Sequence, residues 1–229
     1  MTRKGIRSKH NRRCGRTIMS DPEKSKKEYR RETREKLAGL PESYISEASA
    51  ATALNALGIK EMKGAKTVLA YYSVGKEPGT LALISKLLAA GKTVCLPLCT
   101  DLGEDGRRME DAPASEAMEA RAIKSFDDLE AGAYGIPEPK KGTKTVPPDK
   151  IDLIILPCVT CDRSCNRLGH GAGYYDKYLK GVRPDCFTMA LCYEKVLADQ
   201  LPAEEHDVPV DAVITEETVY RWRRRKADI

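Results

Sequence analysis

The run Leu153-Ile154-Ile155-Leu156, set between Asp152 and Pro157, constrains this chain more than any other stretch. It has neither the spacing of an amphipathic helix nor the alternation of a half-exposed strand. A short continuous apolar run of this kind predicts a strand buried on both faces, which requires a sheet covered on both sides. Thr67-Val68-Leu69-Ala70-Tyr71-Tyr72 has the same character, and Cys186-Phe187-Thr188-Met189-Ala190-Leu191-Cys192 reads as another apolar strand. Between them lie segments with helical character, so the expected class is α/β.

In chain order, residues 22 to 38 read as a charged helix with Asp21 as cap and Pro22 as first helical residue. Lys26, Arg30 and Arg34 form one stripe of it and Tyr29, Thr33 and Leu37 another, and Gly39 and Pro41 end it. The basic stripe is either a solvated face or a binding face. An Ala- and Ser-rich helix follows over 42–57, as scaffold. Strand 67–72, a loop with Gly75, Glu77 and Pro78, a helix from Thr80 to Ala90 and strand 93–98 form a β-α-β unit. Ligands collect at the carboxyl ends of parallel strands, which is where Glu77 falls; it is otherwise a plain loop carboxylate. Residues 117–124 fit a strand or a short helix equally well. Phe126 to Leu129 reads as a helical turn, Tyr134 to Pro139 as irregular because prolines bracket Glu138, and Lys140 to Pro148 as a basic surface loop. A short helix at 194–199 and a last strand over 207–214 complete the body. Arg221-Trp222-Arg223-Arg224-Arg225-Lys226 reads as a solvated tail, with Trp222 packed locally at most.

The strand at 153–156 feeds Asn166-Arg167-Leu168-Gly169-His170-Gly171-Ala172-Gly173-Tyr174-Tyr175-Asp176-Lys177-Tyr178-Leu179. Three glycines at alternate positions allow several amide N–H groups to converge on one anion at the start of a helix beginning near Gly171 or Ala172. Arg167 would add a fork of donors and Asp176, about one turn in, would face a metal held by phosphates. The spacing matches neither G-x-G-x-x-G nor the loop ending in Gly-Lys-Ser/Thr, so spacing alone leaves a plain glycine-rich turn open.

The order Leu156-Pro157, Asp162, Asn166-Arg167-Leu168-Gly169-x-Gly171-x-Gly173-Tyr174-Tyr175-Asp176-x-Tyr178-Leu179 resembles the signature of the 5-formyltetrahydrofolate cyclo-ligase (methenyltetrahydrofolate synthetase) family. Lys26-Lys27-Glu28-Tyr29-Arg30, Tyr71 to Glu77 and Gly135-Ile136-Pro137-Glu138-Pro139 support it in the same order, over about residues 24 to 218. The resemblance implies a single domain over 21–220 with a three-layer α/β/α, Rossmann-like, mainly parallel sheet of the CoA-transferase-like kind. It implies closure of 5-formyltetrahydrofolate, free or polyglutamylated, to 5,10-methenyltetrahydrofolate, driven by MgATP through an N5 iminium phosphate, in a monomer. Arg167 and Lys26 become the catalytic cations. Lys26, Lys27, Glu28, Tyr29, Arg30 and Arg167 to Tyr175, including Leu168, Gly169, His170, Gly171, Ala172, Gly173 and Tyr174, become the nucleotide site. Tyr72, Glu77, Tyr134, Gly171 and Tyr174 become the folate site, with Tyr134 stacked on the pterin, and Asp176 and Asp207 the magnesium ligands. His170 falls at a variable position and reads as a local loop donor. Where the family tends to have an aromatic residue before Asp162, this chain has Cys161.

Composition narrows the alternatives. Of the net charge of +5, residues 1–18 carry seven basic side chains and no acid, which leaves −2 for the rest. The expectation is a disordered basic extension over 1–20, with translation starting at Met19, and a basic tail at 221–229. A nucleic-acid accessory protein would rest on the extension alone, so no nucleic-acid partner is expected. No apolar run approaches the ~18–20 residues a bilayer span needs, and no secretion signal is visible, so a cytoplasmic protein without membrane contact is expected. Eight cysteines include the C-x2-C-x3-C run Cys158, Cys161, Cys165. That pattern is the alternative reading, a cysteine-ligated metal or redox protein whose fourth ligand would come from Cys186, Cys192 or a more distant site. Reduced thiols in a reducing cytoplasm are the simpler account.

Overall fold

The computed structural model describes residues 24–100, 118–132, 135–204 and 207–222. Helix α1 (Lys26–Gly39) starts at Ser25, not at Asp21. The Ser25 hydroxyl accepts from the Glu28 amide while Glu28 Oε2 accepts from Ser25 N at 2.8 Å, a capping box that satisfies two orphan donors at once. The expected helix α2 (Glu42–Gly58) continues into a short α3 (Lys60–Gly64). Strand β1 (Thr67–Leu69), α4 (Leu81–Ala89) and β2 (Thr93–Cys99) form the predicted parallel unit, with Thr67 opposite Thr93.

The undecided segment is a strand, β3 (Met118–Ile123), antiparallel to β2. Two loop expectations fail. Pro137–Pro139 forms β5 opposite β4 (Leu129–Ala131), which two prolines permit because it is half of a separate two-stranded ladder in which they need not donate on both edges. Lys144–Val146 forms β6 on the edge of the main sheet beside β3, where alternating Lys144 and Val146 suit a solvated edge. Then follow β7 (Leu153–Leu156), the short pair β8 (Thr160–Cys161) and β9 (Arg167–Leu168), α5 (Tyr174–Tyr178), β10 (Phe187–Leu191), β11 (Ala212–Ile214) and β12 (Val219–Arg221). Residues 194–196 make a single 3₁₀ turn in place of a helix.

The main sheet has the order β12-β11-β10-β7-β1-β2-β3-β6. β11, β10, β7, β1 and β2 are mutually parallel, and antiparallel strands close both edges. β7 is central and every residue of it is buried. Because strand side chains alternate, each strand supplies two cores. Leu69, Cys95, Ile154, Leu156, Ala190 and Val213 pack on one face with α2's Ile45 and Ala48 and α5's Tyr178. Val68, Leu96, Leu153, Ile155, Leu191 and Ile214 pack on the other with Ala56 of α2 and Leu83, Ile84 and Leu87 of α4. This is the expected three-layer, mainly parallel α/β arrangement.

The tail expectation is corrected at its start. Arg221 closes β12 and makes a two-pronged ion pair with Glu61, both N–O distances 3.0 Å, and the Trp222 amide donates to Asp211 O. Among the described residues no helix is long and apolar enough to cross a membrane. The basic extension lies outside them.

Candidate active site

After β7 the chain makes the β8–β9 hairpin and delivers the glycine loop beyond the carboxyl ends of the parallel strands. Asp162, 1% exposed, organises that hairpin. Its carboxylate accepts from the amides of Ser164, Asn166 and Leu201 and from Asn166 Nδ2, all at 2.8–3.0 Å. Arg167 is thereby held with Nη1 donating to Pro157 O at 3.0 Å and Nη2 2.6 Å from Asp176 Oδ1. A Cβ at Gly169 would lie 2.7 Å from Arg167 Nη1, so a side chain there would push the guanidinium out of this position. Gly171 and Gly173 adopt positive φ, +107° and +74°, which side-chain-bearing residues rarely tolerate.

The helix starts later than expected. α5 begins at Tyr174 and spans five residues, so Asp176 sits in its first turn and the short helix contributes little dipole. Convergent charge comes instead from α1, whose i,i+4 spacing puts Arg30 against the loop and Lys26 against Glu204 and Asp207 on the wall of the same cavity. Arg30 Nε donates to Gly169 O at 2.8 Å. Lys26 Nζ lies 2.7 Å from Asp207 Oδ2 and 3.1 Å from Glu204 Oε1. Burial opposes its charge, but those two carboxylates hold the Lys26 ammonium above its ordinary pKa.

Two cavities flank the loop. A charged one of about 540 Å³ is lined by Lys26, Arg30, Arg167, Lys180 and Arg183 against Asp176, Asp207 and Asp211, with Leu168 and Trp222 also on its wall. The other, of about 320 Å³, is mainly apolar and takes Tyr72, Glu77, Met118, Ile136, His170, Ala172, Tyr174 and Tyr175. Arg167, Gly169, Gly171, Gly173 and Asp176 line both, so the glycine loop is a shared wall. On the apolar side Glu77 Oε2 accepts from the Val74 amide at 3.0 Å and Oε1 lies 3.0 Å from His170 Nε2. The Tyr193 hydroxyl, donating to Glu77 O at 3.1 Å, fixes the same residue from beneath. The buried Tyr175 hydroxyl has no partner among the described residues, and burial raises its pKa.

Most predicted site residues therefore meet at one place, with exceptions. Lys27, Glu28 and Tyr29 line neither cavity: Glu28 is spent on the helix cap and the Tyr29 hydroxyl donates to Gln200 O at 2.7 Å. His170, Ala172, Tyr174 and Tyr175 line the apolar cavity and not the charged one. Tyr134 lies outside the described residues. Lys180, Arg183 and Trp222 were missed; only Lys180, four residues after Asp176 on a helical path, left a signal in the spacing. The C-x2-C-x3-C reading also changes. Cys165 adopts a left-handed conformation, φ 68°, and it is Cys192 that lies with Cys158 and Cys161.

A mainly parallel α/β sheet with a basic, glycine-walled double cleft at its carboxyl edge defines an enzyme of the α/β class whose site is built by loops rather than by a core nucleophile. Comparison with known proteins makes this specific. The profile of the 5-formyltetrahydrofolate cyclo-ligase family matches residues 22–216, and the chain belongs to that family. It is 34% identical over 153 residues to a 5-formyltetrahydrofolate cyclo-ligase of Mycolicibacterium smegmatis, covering 66% of this chain and 73% of that one. It is 30% identical over 200 residues to a probable 5-formyltetrahydrofolate cyclo-ligase of Schizosaccharomyces pombe, covering 81% and 92%. The solved 5,10-methenyltetrahydrofolate synthetase of Aquifex aeolicus superposes with a TM-score of 0.72 at 29% identity, covering 88% of this chain and 94% of that one.

Proposed function

We propose that the protein closes the formyl group of 5-formyltetrahydrofolate onto N10, using ATP, and that the two cavities hold the two substrates on opposite sides of the glycine loop. The observation that carries this is the shared wall, since Arg167 and Asp176 face both cavities at once. The formyl oxygen is a poor leaving group. In the proposed reaction it attacks the γ-phosphorus, the β–γ bridge bond breaks to release ADP, and an N5 iminium phosphate results. N10 then adds to the carbon and phosphate departs, giving 5,10-methenyltetrahydrofolate, ADP and inorganic phosphate.

Such a transfer depends on positioning and charge cancellation rather than on a protein nucleophile. Lys26, Arg30 and Arg167 take the phosphate oxygens, with the amides of the Gly169–Gly173 loop, and Lys180 and Arg183 extend the positive wall. The apolar cavity takes the pterin and its linker between Tyr72 and Tyr174, with Glu77 as an acceptor for ring N–H groups. Polyglutamate chains would leave this cavity towards solvent.

Asp176 and Asp207 fit a magnesium ion in chemistry. Both are hard carboxylate donors on the wall of the charged cavity, each paired here with a cation, Arg167 or Lys26, that phosphate would draw away. Magnesium there would neutralise charge on the transferring phosphate.

The test is direct. Purified protein with magnesium, ATP and 5-formyltetrahydrofolate should form the methenyl product, seen by its near-ultraviolet absorbance, with one ADP per product. ADP formation without that product would overturn the reading.

A further inference from the structure

Cys158, Cys161 and Cys192 play no part in the reaction above, and all three are buried. Their sulfurs lie within 4.8 Å of one another. Topology brings them together. β7 and β10 are parallel neighbours with Leu156 opposite Ala190, so Cys158 and Cys192 emerge side by side two residues beyond that pair. The chain then turns into β8 and returns Cys161 to them. Cys158 Sγ donates to Leu191 O at 3.2 Å. Cys192 Sγ in turn donates to Tyr193 O at 3.7 Å.

Three buried thiols can simply pack as small apolar groups. Two further features favour a ligand set. Sulfurs around a zinc ion, each at ~2.3 Å from it, stand about 3.8 Å apart, a spacing these sulfurs can adopt. A cavity of about 50 Å³ also reaches Cys158 and Cys192, with Glu77 and His170 on its wall, and exceeds the ~10–15 Å³ that one water needs. Three thiolates and a divalent cation leave one negative charge. Arg167, bonded to Pro157 O beside Cys158, supplies the opposite sign.

We propose that Cys158, Cys161 and Cys192 form a three-thiolate site for a thiophilic divalent cation of the zinc class, with the fourth coordination position open to that cavity. Binding displaces the thiol protons and ties the carboxyl ends of β7 and β10 to β8, beneath the loop that carries Arg167. Cys165 is not among the three clustered sulfurs and is outside the site.

The experiment is a titration of reduced, metal-free, full-length protein with Co²⁺ alone under anaerobic conditions. One equivalent should produce a near-ultraviolet thiolate-to-cobalt band with visible d–d bands of tetrahedral intensity, displaced by one equivalent of Zn²⁺. Cys192→Ala should abolish the band and Cys165→Ala should keep it. If Cys192→Ala does not fold by circular dichroism, Cys161→Ser reads the same loss. A wild-type protein that gives no such band, or a folded Cys192→Ala or Cys161→Ser protein that retains it, overturns the site.

Discussion

Arg167 Nη2 and Asp176 Oδ1, nine residues apart in the chain, meet at 2.6 Å on the wall that separates the charged from the apolar cavity. The two partners are unequal: the Arg167 side chain is 9% exposed and Asp176 70%. An ion pair with one end in water contributes at most about 1 kcal/mol to stability, so the pair is not there to hold the fold. Arg167→Ala should lower kcat/KM about 10- to 100-fold, the equivalent of one charge-assisted contact of roughly 1.5–3 kcal/mol, while Asp176→Asn should leave urea unfolding within about 1 kcal/mol of wild type and raise the magnesium concentration needed for half-maximal rate. Unchanged ATP and magnesium dependence in both variants would remove the phosphate role of the loop.

Gly169 tests the same loop from the backbone. A methyl group there would enter the space of Arg167 Nη1, the atom bonded to Pro157 O. Gly169→Ala should therefore reproduce most of the Arg167→Ala activity loss with the arginine still present. Gly171→Ala, placed at φ +107°, should also cost stability, about 1–3 kcal/mol by thermal or urea unfolding.

The two-cavity arrangement predicts separable binding defects. Glu77→Gln removes the carboxylate charge on the apolar side, where Oε1 lies 3.0 Å from His170 Nε2. Steady-state kinetics should show a raised KM for the folate and an unaltered KM for ATP. Lys26→Met, on the charged side, should show the reverse. Equal shifts for both substrates in both variants would contradict the assignment of one cavity to each.

Asp152, just ahead of β7, accepts from the amides of Lys66 and Thr67, both at 2.9 Å, and from Arg183 Nη2 at 3.1 Å. Burial alone would raise its pKa, yet these donors hold it below the usual carboxylate range. A depressed folded-state pKa stabilises the protein fully above the unfolded value of about 3.9 and the contribution is lost as pH falls through the folded value. Asp152→Asn should lower stability by about 1–2 kcal/mol at pH 7, and the difference from wild type should shrink in urea melts carried below about pH 4.

The parallel sheet was legible because β7, β1 and β10 are apolar without period, and only burial on both faces explains such runs. The capping box at Ser25-Lys26-Lys27-Glu28 was equally legible and was passed over for the weaker signal at Asp21-Pro22. β5, β6 and β12 were not legible. Each is three residues long and polar or proline-bearing, and each is a strand only because a neighbouring edge offers hydrogen bonds.

Sequence alone determined the chemistry of the glycine loop: its three glycines, Arg167 and Asp176 sit within ten residues, so local geometry suffices to group them. It also determined that Lys26 and Arg30 share a helix face, since a 3.6-residue period needs no tertiary information. Tertiary structure alone decided which face that helix turns to the loop, that Tyr175 and His170 line a cavity with Glu77 rather than with the cations Lys26, Arg30 and Arg183, and that Arg183 and Trp222 close the charged cavity. It also decided that Cys192, not Cys165, joins Cys158 and Cys161, because the register of β7 against β10 places them side by side and nothing within either strand encodes the register of its neighbour.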